Sequence, residues 1–162
     1  MPYNPYMTTG SLVLAALLGR GHGKKEHRKF HDTGSRFTHL LEGVSAMAGG
    51  TKVGFNNAAF LAMKQRGLKT LALSHYIKGK GCYPPKTQPT DNAQLYFQAC
   101  AMEMKPEQLA VVAATIANVG VCPTTQEACL SPLNVKDVLS RLYSCGMKTV
   151  CVYVCVCRHA FE

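Results

Sequence analysis

A proline lodged between two helical patterns constrains this chain more than any other feature. It lies in residues 113–147, AATIANVGVCPTTQEACLSPLNVKDVLSRLYSCGM. Pro106 and Glu107 suit the first turn of a helix. Leu109, Val111, Val112, Ile116 and Val119 then follow at helical spacing as far as Gly120, which predicts a buried helix. Cys122-Pro123-Thr124-Thr125 cannot continue it, because proline has no N–H and disfavours a helical residue before it. A second helix restarts where Ser131 can cap an N-terminus and Pro132 fits the first helical position. Leu133, Val135, Val138, Leu139 and Leu142 recur along it, and Gly146 supplies a stop. Two helices meeting at a tight corner are therefore expected.

The same start and stop signals predict a mainly α chain. Helices are expected over Ser11 to Leu18, Phe37 to Ala48, Asn57 to Lys80 with a break near Gly67, Tyr96 to Met104, Glu107 to Val119 and Pro132 to Cys145. The stretch from Gly79 to Asn92 holds three prolines and reads as a loop. No apolar run approaches the ~20 residues of a membrane span, since Leu12 to Leu18 suffices only for a short buried helix. There is no internal repeat apart from a dipeptide alternation near the C-terminus.

Several short motifs identify more than a fold class. Ala113-Ala114-Thr115-Ile116-Ala117-Asn118, Cys122-Pro123, Leu130-Ser131-Pro132 and Ser144-Cys145-Gly146-Met147 form one series. Val53-Gly54-Phe55-Asn56-Asn57-Ala58, Tyr76-Ile77-Lys78, Cys82-Tyr83-Pro84 and Tyr96-Phe97-Gln98 precede them in order, and Pro2, Asn4, Pro5 and Gly10 open the chain. Together these closely resemble the serine-dependent glutaminases, animal kidney and liver type, over roughly residues 2 to 147. The stretch 21 to 39 matches least well. The resemblance implies the helical portion of a β-lactamase/DD-peptidase-like (α+β) domain, with 1–147 a partial glutaminase domain and 148–162 a divergent Val/Cys-rich tail. It also implies hydrolysis of L-glutamine to L-glutamate and ammonia without a cofactor.

In that family a serine of a Ser-x-x-Lys motif attacks the side-chain amide. A neutral serine is a weak nucleophile that needs an adjacent base, and the intermediate needs donors for its oxyanion. None of the serines here, at 11, 35, 45, 74, 131, 140 and 144, has a lysine three residues later. In the family the motif lies upstream of the segment with which this chain begins, so the N-terminus reads as truncated. Met1 is then an internal methionine, a late start or the first residue of an incomplete gene model. No catalytic residue is expected.

The resemblance places the family's substrate-binding positions at Thr8, Met63, Thr70, Tyr96 and Lys148, and only Tyr96 is retained. At Met63 a carboxylate that could hold the substrate's ammonium is replaced by an uncharged thioether. Thr8 and Thr70 keep a hydroxyl but lose the amide that both donates and accepts. Lys148 stands where the second binding tyrosine is expected. Without the resemblance, Tyr96 reads as half-buried packing on a helix.

The tail Val150-Cys151-Val152-Tyr153-Val154-Cys155-Val156-Cys157 alternates as a translated GT dinucleotide repeat would, which reads as non-coding sequence; an apolar β-strand is the other reading. Cys155, Cys157 and His159 invite a metal reading, but structural zinc sites space their paired cysteines more widely and need four ligands, so no metal is expected. The eight cysteines come without a secretory leader and are expected to be reduced. The net charge of +9 gathers around His22 to Lys29. That single run, with no interleaved aromatics, suits a solvated loop better than a nucleic-acid surface.

Two functional classes remain. In one, the gene product is a glutamine amidohydrolase and this polypeptide an inactive part of it. In the other, the chain is a non-catalytic partner of full-length glutaminase subunits, an oligomeric family. The resemblance to animal glutaminases implies a mitochondrial location, although the chain shows no transit peptide.

Overall fold

A computed structural model of the chain describes residues 7–18 and 32–145. Their elements run α1 (Thr8–Leu17), α2 (Thr33–Met47), β1 (Gly54–Phe55), α3 (Asn57–Arg66), α4 (Leu68–Gly79), α5 (Pro89–Cys100), β2 (Met102–Glu103), α6 (Pro106–Ala117) and α7 (Pro132–Cys145). The basic stretch 22–29, Lys148 and the Val/Cys tail lie outside the described residues.

Local chemistry sets the helix starts. Asp32 accepts a hydrogen bond from Ser35 N at 2.8 Å and caps α2. Asn56 accepts from Ala59 N at 2.8 Å and caps α3. Ser131 Oγ accepts from Asn134 N at 3.3 Å at the start of α7, as its sequence predicts. Pro89, Pro106 and Pro132 open α5, α6 and α7, where a missing N–H costs nothing.

Helix α5 is the centre of the packing, lying against α1, α2, α3 and α4. Leu12, Val13 and Ala16 of α1, Ile77 of α4, Tyr83, and Ala93 and Phe97 of α5 form the buried cluster. Polar groups lock the same elements together. Asn92 Nδ2 donates to Leu12 O at 2.6 Å, and its Oδ1 accepts from Arg36 Nη2 at 3.3 Å. Arg36 also donates to Ala15 O, so one guanidinium ties α2 to α1 and α5. Ser74 Oγ donates to Pro89 O at 2.9 Å and lies 2.8 Å from Tyr83 OH, which must then donate to it.

The strands β1 and β2 pair antiparallel, Gly54 opposite Glu103 and Phe55 opposite Met102. Asn56 reinforces them by donating through Nδ2 to Glu103 Oε1 at 2.6 Å. On α6, Gln108 accepts from Lys105 N at 2.9 Å and donates to Thr51 Oγ1 at 2.9 Å. Thr115 Oγ1 binds Met47 O at 3.0 Å, joining α6 to the end of α2.

Several expectations need correction. Helix α1 begins at Thr8 rather than Ser11, and α2 at Thr33 rather than Phe37, because Asp32 supplies a cap ahead of Gly34. Pro89 starts α5 instead of prolonging the loop to Asn92, and Asp91 in its first turn favours that start. Met104 is not helical: α5 stops at Cys100, and Met102 and Glu103 turn to pair with β1. Helix α6 ends at Ala117, and its apolar set is not buried. Leu109 is 56% exposed and only Thr115 is buried. Helical spacing shows which residues share a face, but not whether another element covers that face.

Candidate functional site

Met63, Thr70 and Tyr96 come together around one open cavity of about 350 Å³. Ala62, Met63 and Arg66 reach it from α3, Gly67 from the joint, Thr70 from the first turn of α4, and Tyr96, Phe97 and Cys100 from α5. Steps of three and four residues put Met63, Arg66 and Thr70 on one side, and Tyr96 with Cys100 on the other. The chain passes from α3 to α4 at Gly67, which itself lines the cavity. A Cβ there would lie 2.4 Å from Phe97 Cζ and 2.8 Å from Met63 O, so any larger residue forces α3 and α5 apart.

Thr8 of α1 stands near Tyr96, outside the cavity lining. Burial pushes the Tyr96 hydroxyl above its ordinary pKa, the neighbouring Cys100 adds to this, and Thr8 opposes it. Tyr96 is therefore a neutral phenol, able to donate. It is half-buried and its ring lies 5.9 Å from that of Phe97. It both packs and faces the cavity, so the two readings of this residue are not exclusive.

Three of the five binding positions expected from the sequence, Met63, Thr70 and Tyr96, line the cavity, and Thr8 stands beside Tyr96 without lining it. Lys148 lies outside the described residues. Arg66 and Cys100 carried no motif and went unmarked, yet they stand three and four residues from Met63 and Tyr96, which was the available signal. Arg66 brings the only formal charge in the lining and makes no ion pair or hydrogen bond with the described residues. Among the described residues no serine lines the cavity. Among the described residues no group of His, Cys, Asp or Glu is placed to hold a metal, and Cys155, Cys157 and His159 lie outside them.

A second reactive group lies in the corner between α6 and α7. Cys122 is fully buried, with Sγ 3.2 Å from Thr124 Oγ1. Hydrogen bonds from the Thr124 and Thr125 side chains and the Thr125 backbone lower its thiol pKa to about 6. The corner is held by the Val121 to Ala128 bridge and by Cys122 N donating to Glu127 O at 2.9 Å.

The family model described as Glutaminase matches residues 1–150. The chain is 40% identical over 147 residues to "Putative glutaminase 2" of Caenorhabditis elegans, an alignment covering 90% of this chain and 23% of that protein. It is 36% identical over 147 residues to "Glutaminase liver isoform, mitochondrial" of Rattus norvegicus, covering 91% of this chain and 23% of the relative. Among solved structures, the probable glutaminase of Bacillus subtilis complexed with 6-diazo-5-oxo-L-norleucine superposes with a TM-score of 0.78 at 20% identity, over 92% of this chain and 44% of that one. The chain thus spans about a quarter of the length of these animal relatives.

Proposed function

Since the chain belongs to the glutaminase family, we propose that it carries the binding half of a glutamine amidohydrolase domain and does not itself hydrolyse L-glutamine. The observation that carries this reading is the cavity between α3, α4 and α5. It gathers the substituted positions Met63 and Thr70 with the retained Tyr96, and offers no serine.

Amide hydrolysis by acyl transfer needs a nucleophile with its base and donors for the oxyanion. The sequence contains no Ser-x-x-Lys, and neither the Cys100 thiol nor the Thr70 hydroxyl has a histidine, lysine or carboxylate beside it in the described lining. Met63 moreover leaves a substrate ammonium without a counter-charge. Incubating the purified chain with L-glutamine beside a full-length glutaminase should give no ammonia above the blank; release above it would overturn this reading.

A second reading, assembly with full-length glutaminase subunits, is favoured by α7, which buries only Val135 and leaves Leu133, Leu139, Leu142 and Tyr143 exposed. The rat liver relative is named as mitochondrial. That supports a mitochondrial location here too, to be read by fractionating cells that express the chain.

A further inference from the structure

We propose that the cavity between α3, α4 and α5 takes a small linear carboxylate that bears no ammonium group, its carboxylate held by Arg66 with Thr70. The inference rests on reading this cavity as the ligand site, and goes beyond it by naming the class of ligand.

The chemistry of the wall carries the argument. Ala62, Met63 and Phe97 supply apolar surface, Thr70 and Tyr96 supply hydroxyls, and Arg66 supplies the only charge among the described residues. A carboxylate entering this space finds a planar guanidinium whose paired N–H groups match its two oxygens, with a hydroxyl donor close by. Arg66 is free to make that contact, because it makes no bond with the described residues. A ligand ammonium finds the opposite. Among the described residues no carboxylate lines the cavity to accept it, Met63 offers only a weakly accepting thioether, and the guanidinium repels it.

Position reinforces this. Arg66 is three residues after Met63 and four before Thr70, so the cation lies on the face that Met63 and Thr70 share. The first turn of α4, which contains Thr70, has no side-chain cap to compete for an incoming anion. An acid with an apolar or amide body therefore fits the lining, whereas an α-amino acid brings a charge the wall cannot balance.

The test is calorimetric titration of the whole chain with 5-amino-5-oxopentanoate, which is glutamine without its ammonium, and with L-glutamine. The deaminated acid should bind about tenfold more tightly, the usual scale of one unbalanced charge contact. Arg66→Gln should weaken the acid about tenfold while circular dichroism stays unchanged, and Met63→Glu should bring L-glutamine level with the acid or ahead of it. In the unaltered chain the acid, but not L-glutamine, should slow alkylation of Cys100 followed by peptide mass spectrometry. Equal or tighter binding of L-glutamine, an acid affinity indifferent to Arg66→Gln, or no binding of either compound would overturn the proposal. Ammonia release from L-glutamine would instead sink the non-hydrolytic reading, so the two failures are distinct.

Discussion

At Cys122 three residues of turn decide the chemistry of a thiol. Its folded pKa near 6 lies below the ordinary 9.0, so the unfolded chain binds more protons than the folded one between those values. The contribution to stability is therefore complete above about pH 9, shrinks as pH falls and is lost below about 6. Glu127 and Cys129 stand near the same bridge, and burial raises the Cys129 thiol. Denaturation midpoints measured from pH 5.5 to 8.5 should rise with pH more steeply for the native chain than for Cys122→Ala; parallel slopes would contradict this. Asn92 gives a second expectation. Asn92→Leu removes the donor to Leu12 O and the acceptor for Arg36, leaving buried groups unpaired at a cost of about 1–3 kcal/mol in urea denaturation. The role of Asn92 was not legible in the sequence, because Leu12 and Arg36 lie far from it along the chain. The motifs point to Met63, Thr70 and Tyr96, which the structure brings to one cavity, whereas Arg66 and Cys100 in the same lining belong to no motif.

Helices were largely readable where a residue acts on its own neighbours. Gly67 divides α3 from α4 as expected, Pro106 and Pro132 open α6 and α7, and Ser131 caps the latter. Errors arose where one residue type has two uses, as with Pro89, which breaks a helix or begins one. They also arose where a distant partner decides, as with Met102 and Glu103, whose strand exists only because Gly54 and Phe55 lie alongside. Gly67 shows that a joint can be steric rather than conformational. Its φ of −78° suits any residue, so the demand for glycine comes from the Phe97 ring and Met63 O. Gly67→Ala should cost about 1–3 kcal/mol by overpacking, read as a lowered thermal midpoint; an unchanged midpoint would mean that α3 and α5 part easily.

For the whole molecule, composition and motifs anticipated a helical part of a larger domain, and the relatives that extend well beyond this chain agree with it. What they could not anticipate is the extent of uncovered apolar surface. On α7, Tyr143 is 74% exposed, and Val138, Leu139 and Leu142 share its side of the helix at steps of three and four residues, a patch of exposed apolar surface. If this face meets full-length glutaminase subunits, Leu139→Glu with Leu142→Glu should abolish co-purification with them without loss of helix; undiminished capture would place the contact elsewhere. The short ladder of β1 and β2 has a broader consequence. It brings residues 54 and 103 side by side, so the segment between them is a loop whose ends touch, and every residue lining the cavity lies within it. Thr8 reaches Tyr96 only from outside. Segments before Gly54 or after Glu103 can therefore be exchanged while the described cavity wall keeps its own residues.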